Sequence, residues 1–175
     1  MKRKNLLWMM AAILFCGLTA MTFVSCGDDD DEPSGSTDTK IVGMRIAYAV
    51  DFLDGFTTNE DYTVSVTWTD ESGKEITQDI TEGFVKDVMF KHINTVATFA
   101  IKCTPKNPAN KETHDIGVDF AVLAKPMNAQ GLVAGSEFRD GSSFQMKGRT
   151  GSYYNEKSRT IKFKITSDNR IVRVE

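Results

Sequence analysis

Cysteine is scarce in this chain of 175 residues: Cys16, Cys26 and Cys103 are the only three, and no two are spaced as a Cys-x-x-Cys pair. That excludes a disulfide framework or a cysteine-built zinc site as the source of stability. Histidine is scarcer still, since His92 and His114 are the only two and form no His-x-x-x-His arrangement. No metal centre is therefore expected. No Gly-x-x-x-x-Gly-Lys-Ser/Thr order is present to cradle a phosphate, and no catalytic or cofactor motif is found, so no catalytic residue and no cofactor is assigned. Positive charge is also in deficit, with 21 Lys and Arg against 24 Asp and Glu and a net charge of −3. Three of those basic residues stand at positions 2–4, so the rest of the chain is more acidic than the total suggests. A nucleic-acid partner does not fit that balance.

What is present is concentrated at the amino end. Lys2, Arg3 and Lys4 precede an uncharged apolar run over residues 6–24, followed by Ser25, Cys26, Gly27 and five acids at 28–32. A basic start, an apolar stretch and a small-residue ending have the anatomy of an export signal. An uncleaved membrane helix is the alternative, because roughly 20 apolar residues can span a bilayer. With Phe23, Val24 and Ser25 ahead of Cys26, the segment resembles a bacterial lipoprotein signal, although Phe23 stands where leucine is usual. The resemblance implies cleavage after residue 25 and a lipid on Cys26. Cys16 is the poorer candidate, since bulky Phe15 precedes it. Stable anchoring takes more than one acyl chain, each buried methylene contributing about 0.8 kcal/mol.

The acids at 28–32 read first as a solvated, self-repelling spacer. Directly after Cys26 they also resemble the export tag of Bacteroidetes-type surface lipoproteins, which implies display on the outer face of the outer membrane. Residues 33–39 are small and polar and read as linker. The expected organisation is a signal over 1–25, a lipidated acidic tether over 26–39 and one domain over 40–175, long enough to bury roughly two-thirds of its unfolded surface.

Within that domain, period-two alternation dominates. Met44, Ile46, Tyr48, Val50 and Phe52 share one face against Arg45, Ala47, Ala49 and Asp51, and Tyr62, Val64, Val66 and Trp68 repeat the pattern. The 70–73 turn leads into a strand with Ile76 and Ile80. A strand carries Thr95, Ala97, Phe99, Ile101 and Cys103 before a loop holding Pro105 and Pro108, and the next carries Ile116, Val118, Phe120 and Val122 and is expected to end before Pro126. Phe144 and Met146 follow. A hairpin through residues 154–158 is expected to enter a strand with Ile161, Phe163 and Ile165, and a turn at 167–169 to precede Val172 and Val174. Residues 82–94 fit a helix or a strand. About eight short strands predict an all-β fold, a single antiparallel β-sandwich of immunoglobulin-like or jelly-roll-like type, with a lipocalin-like β-barrel as the alternative.

Candidate sites are few. Cys103, beside Phe99 and Ile101, reads as a small core residue and not as a nucleophile. Asp51, Asp54, Glu60 and Asp61 invite comparison with a glycosidase carboxylate pair, and Asp54, Gly55 and Asn59 to Asp61 with oxygen ligands for calcium, but no recognised spacing supports either. Trp68 shares a face with Tyr62, Val64 and Val66 and so reads as core. Tyr153 and Tyr154 must point to opposite faces of a strand, which exposes one of them as a stacking surface for a sugar ring. The glycine-rich stretch 128–143 reads as a long loop able to carry recognition. The reading is a surface-anchored lipoprotein whose non-enzymatic sandwich binds a ligand, carbohydrate through Tyr153 and Tyr154 being the first candidate. A structural or adhesive subunit that meets another surface protein through strand edges is the second, and a hydrolase the third. Exposed aromatics in a groove would favour the first and a long unprotected edge strand the second.

Overall fold

Alternation of apolar side chains gives each strand one face to bury, and two sheets meet on those faces. The computed structural model describes residues 40–107, 114–149 and 155–175. Its nine strands are β1 (Ile41–Phe52), β2 (Tyr62–Thr69), β3 (Glu75–Ile80), β4 (Phe84–Phe90), β5 (Ala97–Pro105), β6 (His114–Asn128), β7 (Phe138–Arg149), β8 (Lys157–Ile165) and β9 (Ile171–Val174), with one helical turn, α1 (Thr58–Asp61). One sheet has the order β4-β1-β6-β7 and the other β3-β2-β5-β8-β9. All pairings are antiparallel. The two sheets do not close on each other, so the molecule is an all-β sandwich and the barrel alternative is set aside.

The inward faces are those the alternation marks: Met44, Ile46, Tyr48 and Val50 of β1 oppose Tyr62, Val64, Val66 and Trp68 of β2 and Phe99, Ile101 and Cys103 of β5 in one buried cluster. Aromatic pairs bridge the sheets, with Tyr48 and Phe99 centroids 5.2 Å apart, Trp68 and Phe84 5.0 Å apart, and Phe138 stacked on Phe163 at 5.1 Å. Burying each such side chain is worth about 1.5–3 kcal/mol. The outer face of β1 is less exposed than alternation suggests. Ala47 and Ala49 are buried there beside Leu123 and Ala121, because small side chains sink between larger neighbours on the adjoining strands.

Several boundaries differ from the sequence expectation. Residues 84–90 are strand, because Phe84, Val88 and Phe90 reach the core while the backbone pairs with β1 from Val50↔Phe84 to Met44↔Phe90. Pro105 is the last residue of β5 and not part of the loop. β6 continues through Pro126 to Asn128. The Pro126 carbonyl accepts from Ala134 N at 2.9 Å, so its ring nitrogen faces that same side and no bond to β1 is lost. Only 129–137 of the glycine-rich stretch is loop. Residues 138–143 belong to β7, where Gly141 lets the backbone lie against β6: a Cβ there would fall 2.7 Å from the Phe120 carbonyl oxygen. β7 and β8 lie in different sheets, so their connection crosses the sandwich and is not the expected hairpin.

The two expected turns form. Asp70 Oδ1 accepts from the backbone of Ser72 and Lys74, both at 2.9 Å, and Gly73 takes a φ of 86° that a side chain would resist. Thr166 O accepts from Asn169 N at 3.0 Å, with Asn169 at φ 64°.

Candidate functional site

The polar groups marked in the sequence go mostly to structural work. α1 is clasped to β6: Gly117 N donates to Thr58 Oγ1 at 2.9 Å, and Phe56 packs where a Gly117 side chain would stand. Asp61, at the end of that turn, accepts from Asp115 N at 2.9 Å and from the Thr57 hydroxyl at 2.8 Å, and His114 Nδ1 lies 3.1 Å from its Oδ1. Burial pushes the Asp61 carboxyl up, but these hydrogen bonds outweigh it and hold the group below the usual range. His114 is buried in this cluster. His92 instead sits on the Phe90 ring, centroids 5.0 Å apart, with Nε2 3.2 Å from the Glu71 carbonyl.

Two of the backbone oxygens considered for calcium, those of Asn59 and Gly55, accept from lysine ammonium groups, and the Asp61 carboxylate is taken up by Thr57, His114 and Asp115. Lys106 Nζ donates to the Asn59 carbonyl at 2.5 Å and Lys147 Nζ to the Gly55 carbonyl at 2.7 Å. Among the described residues, no group of three or more metal-ligating side chains is gathered. Asp51 does not join Asp61 as a pair. It faces Asp119 across the β1–β6 ladder, and its carboxyl is pushed up by burial, then by Asp119 and by Asp54. That juxtaposition could not be read from sequence, because it depends on a pairing between residues 51 and 119, far apart in the chain.

Cys103 is fully buried opposite Val64, and burial pushes its thiol up to about 12, which leaves no thiolate at neutral pH. Trp68 is buried against Phe84, as its face implies. Tyr153, Tyr154 and Cys26 lie outside the described residues. Among the described residues, the exposed large apolar side chains are aliphatic: Val42, Ile93, Val96, Leu132 and Val133. No helix among them is long and apolar enough to cross a membrane.

One feature of the fold is open to a partner. Among the described residues β7 has 12 residues and a single strand neighbour, β6, whereas the other sheet edges, β4, β3 and β9, have 7, 6 and 4. Its middle, Gly141, Ser142, Ser143, Phe144, Gln145 and Met146, carries no charge and no proline. Natural edges are usually kept short, charged or interrupted, because their outward amides and carbonyls template further pairing. The inward side chains Phe138, Phe144 and Met146 fix the strand on the core while remaining partly exposed, and Arg173 Nη1 reaches Asp140 at 2.9 Å from the other sheet. The strand is thus held in place with its free side turned outward. Sequence reasoning missed it because glycines 135 and 141 read as loop, and because edge position is a property of the sheet order. Comparison with protein-family models, with curated proteins and with solved structures finds no match to this chain.

Proposed function

We propose that this chain is a lipid-anchored cell-surface protein whose sandwich is a non-enzymatic assembly module, taking an extended segment of a protein partner onto the free edge of β7. The observation that carries this reading is a 12-residue edge strand with no strand on its outer side among the described residues and an uncharged centre, its Gly141 amide bonded to the Asp140 carboxylate at 2.8 Å. Strand addition draws affinity from main-chain hydrogen bonds and selectivity from alternate side chains, so it needs neither a cleft nor a catalytic group. The anchor at Cys26 and the outer-membrane location rest on the order of basic start, apolar run, Ser25-Cys26 and acidic tag. The carbohydrate reading rests on surface display and on Tyr153 and Tyr154.

Site-directed photocross-linking on intact cells tests the proposal. A cross-linker at Ser143, on β7, should give a discrete adduct with another protein, and one at Asp79, on the β3 edge, should not. Adding Gln145→Lys in the same strand should abolish the Ser143 adduct. Adducts of equal yield at both edges, or none at Ser143 together with binding of the mature protein to a glycan array, would reverse the assignment.

A further inference from the structure

The exposed apolar side chains are not scattered. Val42 stands in the first residues of β1, Ile93 and Val96 in the loop between β4 and β5, and Leu132 and Val133 in the turn after β6. The ladders place all three segments at one end of the sandwich: Ile41 pairs with Asn128, Met44 with Phe90, and Ala97 with Phe163 near the end of β8. Asn94 N donates to the Ile165 carbonyl at 2.9 Å, which ties the two sheets together there. Among the described residues, then, every exposed large apolar side chain lies at the end where Lys40 leads into β1.

That end is also where the chain from Cys26 arrives. The most exposed pair, Leu132 at 59% and Val133 at 55%, is presented by a turn whose backbone is fully specified. Asn128 Oδ1 accepts from Gln130 N at 3.1 Å and Leu132 N at 2.8 Å, Asn128 N donates to the Leu132 carbonyl at 2.9 Å, and Val133 bridges to Met127. An apolar tip on a rigid turn, exposed to water, marks a contact surface. Large apolar side chains gain by entering the boundary between headgroups and acyl chains, and a tether ending beside them raises their local concentration at that boundary.

We infer that the Lys40 end of the sandwich, led by Leu132 and Val133, seats on the lipid bilayer that holds the anchor, so that the domain stands with β7 running away from the membrane. This rests on the anchored reading proposed above. The occupant is the lipid surface, since the tether from Cys26 joins the domain at this end and so holds that surface nearest to it.

The test uses the mature acylated protein reconstituted in phosphatidylethanolamine–phosphatidylglycerol vesicles, with acylation first established by intact mass. Gln130→Cys, next to the tip, and Glu82→Cys, at the opposite end beside Val50, are labelled with an environment-sensitive fluorophore; buried Cys103 does not compete. Lipids carrying a nitroxide on the acyl chain should quench the label at 130 and shift its emission to the blue, leave the label at 82 unchanged, and lose their effect at 130 when Leu132→Ser and Val133→Ser are introduced. Equal, weak quenching at both sites in acylated protein overturns the seating and leaves the anchor standing. Absence of acyl chains overturns the anchor and the seating together. A blue shift at 130 without lipid quenching, growing with protein concentration, assigns the tip to contact between proteins and also overturns it.

Discussion

The Tyr48 hydroxyl of β1 donates to the Thr69 carbonyl at the end of β2 across 3.2 Å, so a core side chain of one sheet is bonded to the backbone of the other. Its ring packs on Phe99 in the same layer. Tyr48→Phe keeps the ring and removes the donor, and is expected to cost about 1 kcal/mol in a denaturant titration. Burial pushes the Tyr48 phenol above its ordinary value of 10, and pushes the Cys103 thiol from 9 up to about 12. Both groups therefore keep their protons in the folded state after the unfolded chain has released them. Their contribution to stability is complete below pH 9 and is lost as pH rises from 9 toward 12. Cys103→Ala should flatten the early part of that fall, measured as the change in denaturation midpoint with pH.

Asp51 and Asp119 face each other on the outer face of β1 and β6, and like charges directly opposite in a ladder oppose pairing. The Asp51 carboxyl lies above its ordinary 3.8, through burial first and Asp119 second. The proton it retains stabilises the fold fully below pH 3.8, and this contribution is lost as pH rises through the raised value, leaving a repulsion at neutral pH. Asp51→Asn should raise stability at pH 7 by a few tenths to about 1 kcal/mol, solvent screening keeping it small, and the gain should vanish near pH 3.

Trp68 fills the layer between β2 and β4. Its buried indole N–H has no hydrogen-bond partner among the described residues. Truncation to alanine is expected to cost roughly 3–5 kcal/mol. Trp68→Phe, which removes less volume and no hydrogen bond, should cost clearly less than the alanine variant. Equal losses for the two variants in calorimetric unfolding would show that packing does not set the role of this residue.

The acidic residues at 28–31 contain nothing able to join a core, so replacing them with serine should leave the thermal midpoint unchanged. If they direct export, the same change should reduce the access of external protease to the domain on intact cells. Unaltered access would reduce them to a spacer.

Alternation made most of the core legible, because a strand with one buried face writes that face into every second residue. Tyr62, Val64, Val66 and Trp68 show it most cleanly. It failed where burial does not alternate. Ala47 and Ala49 are hidden by their small size on the outer face, and β6 is buried over most of its length, which obscured its continuation through Pro126. Residues 82–94 were ambiguous because Phe84, Val85, Val88 and Met89 also satisfy helical spacing; long-range pairing with β1 decides the matter. The free edge was illegible for the same reason. Sheet order joins β1 to β6 and β2 to β5 across long stretches of chain, and no local pattern encodes which strand is left outermost.

Hydrogen exchange along β7 reads whether its outer edge is occupied on the cell surface. Amides of residues 138–149 are followed in the mature protein within native outer-membrane vesicles and again after purification in detergent. Slower exchange of the outward-facing amides is expected in the vesicles, with the difference abolished by Ser143→Lys combined with Gln145→Lys and with β3 unaffected. Identical exchange across β7 in the two preparations would contradict the claim that this edge carries the partner.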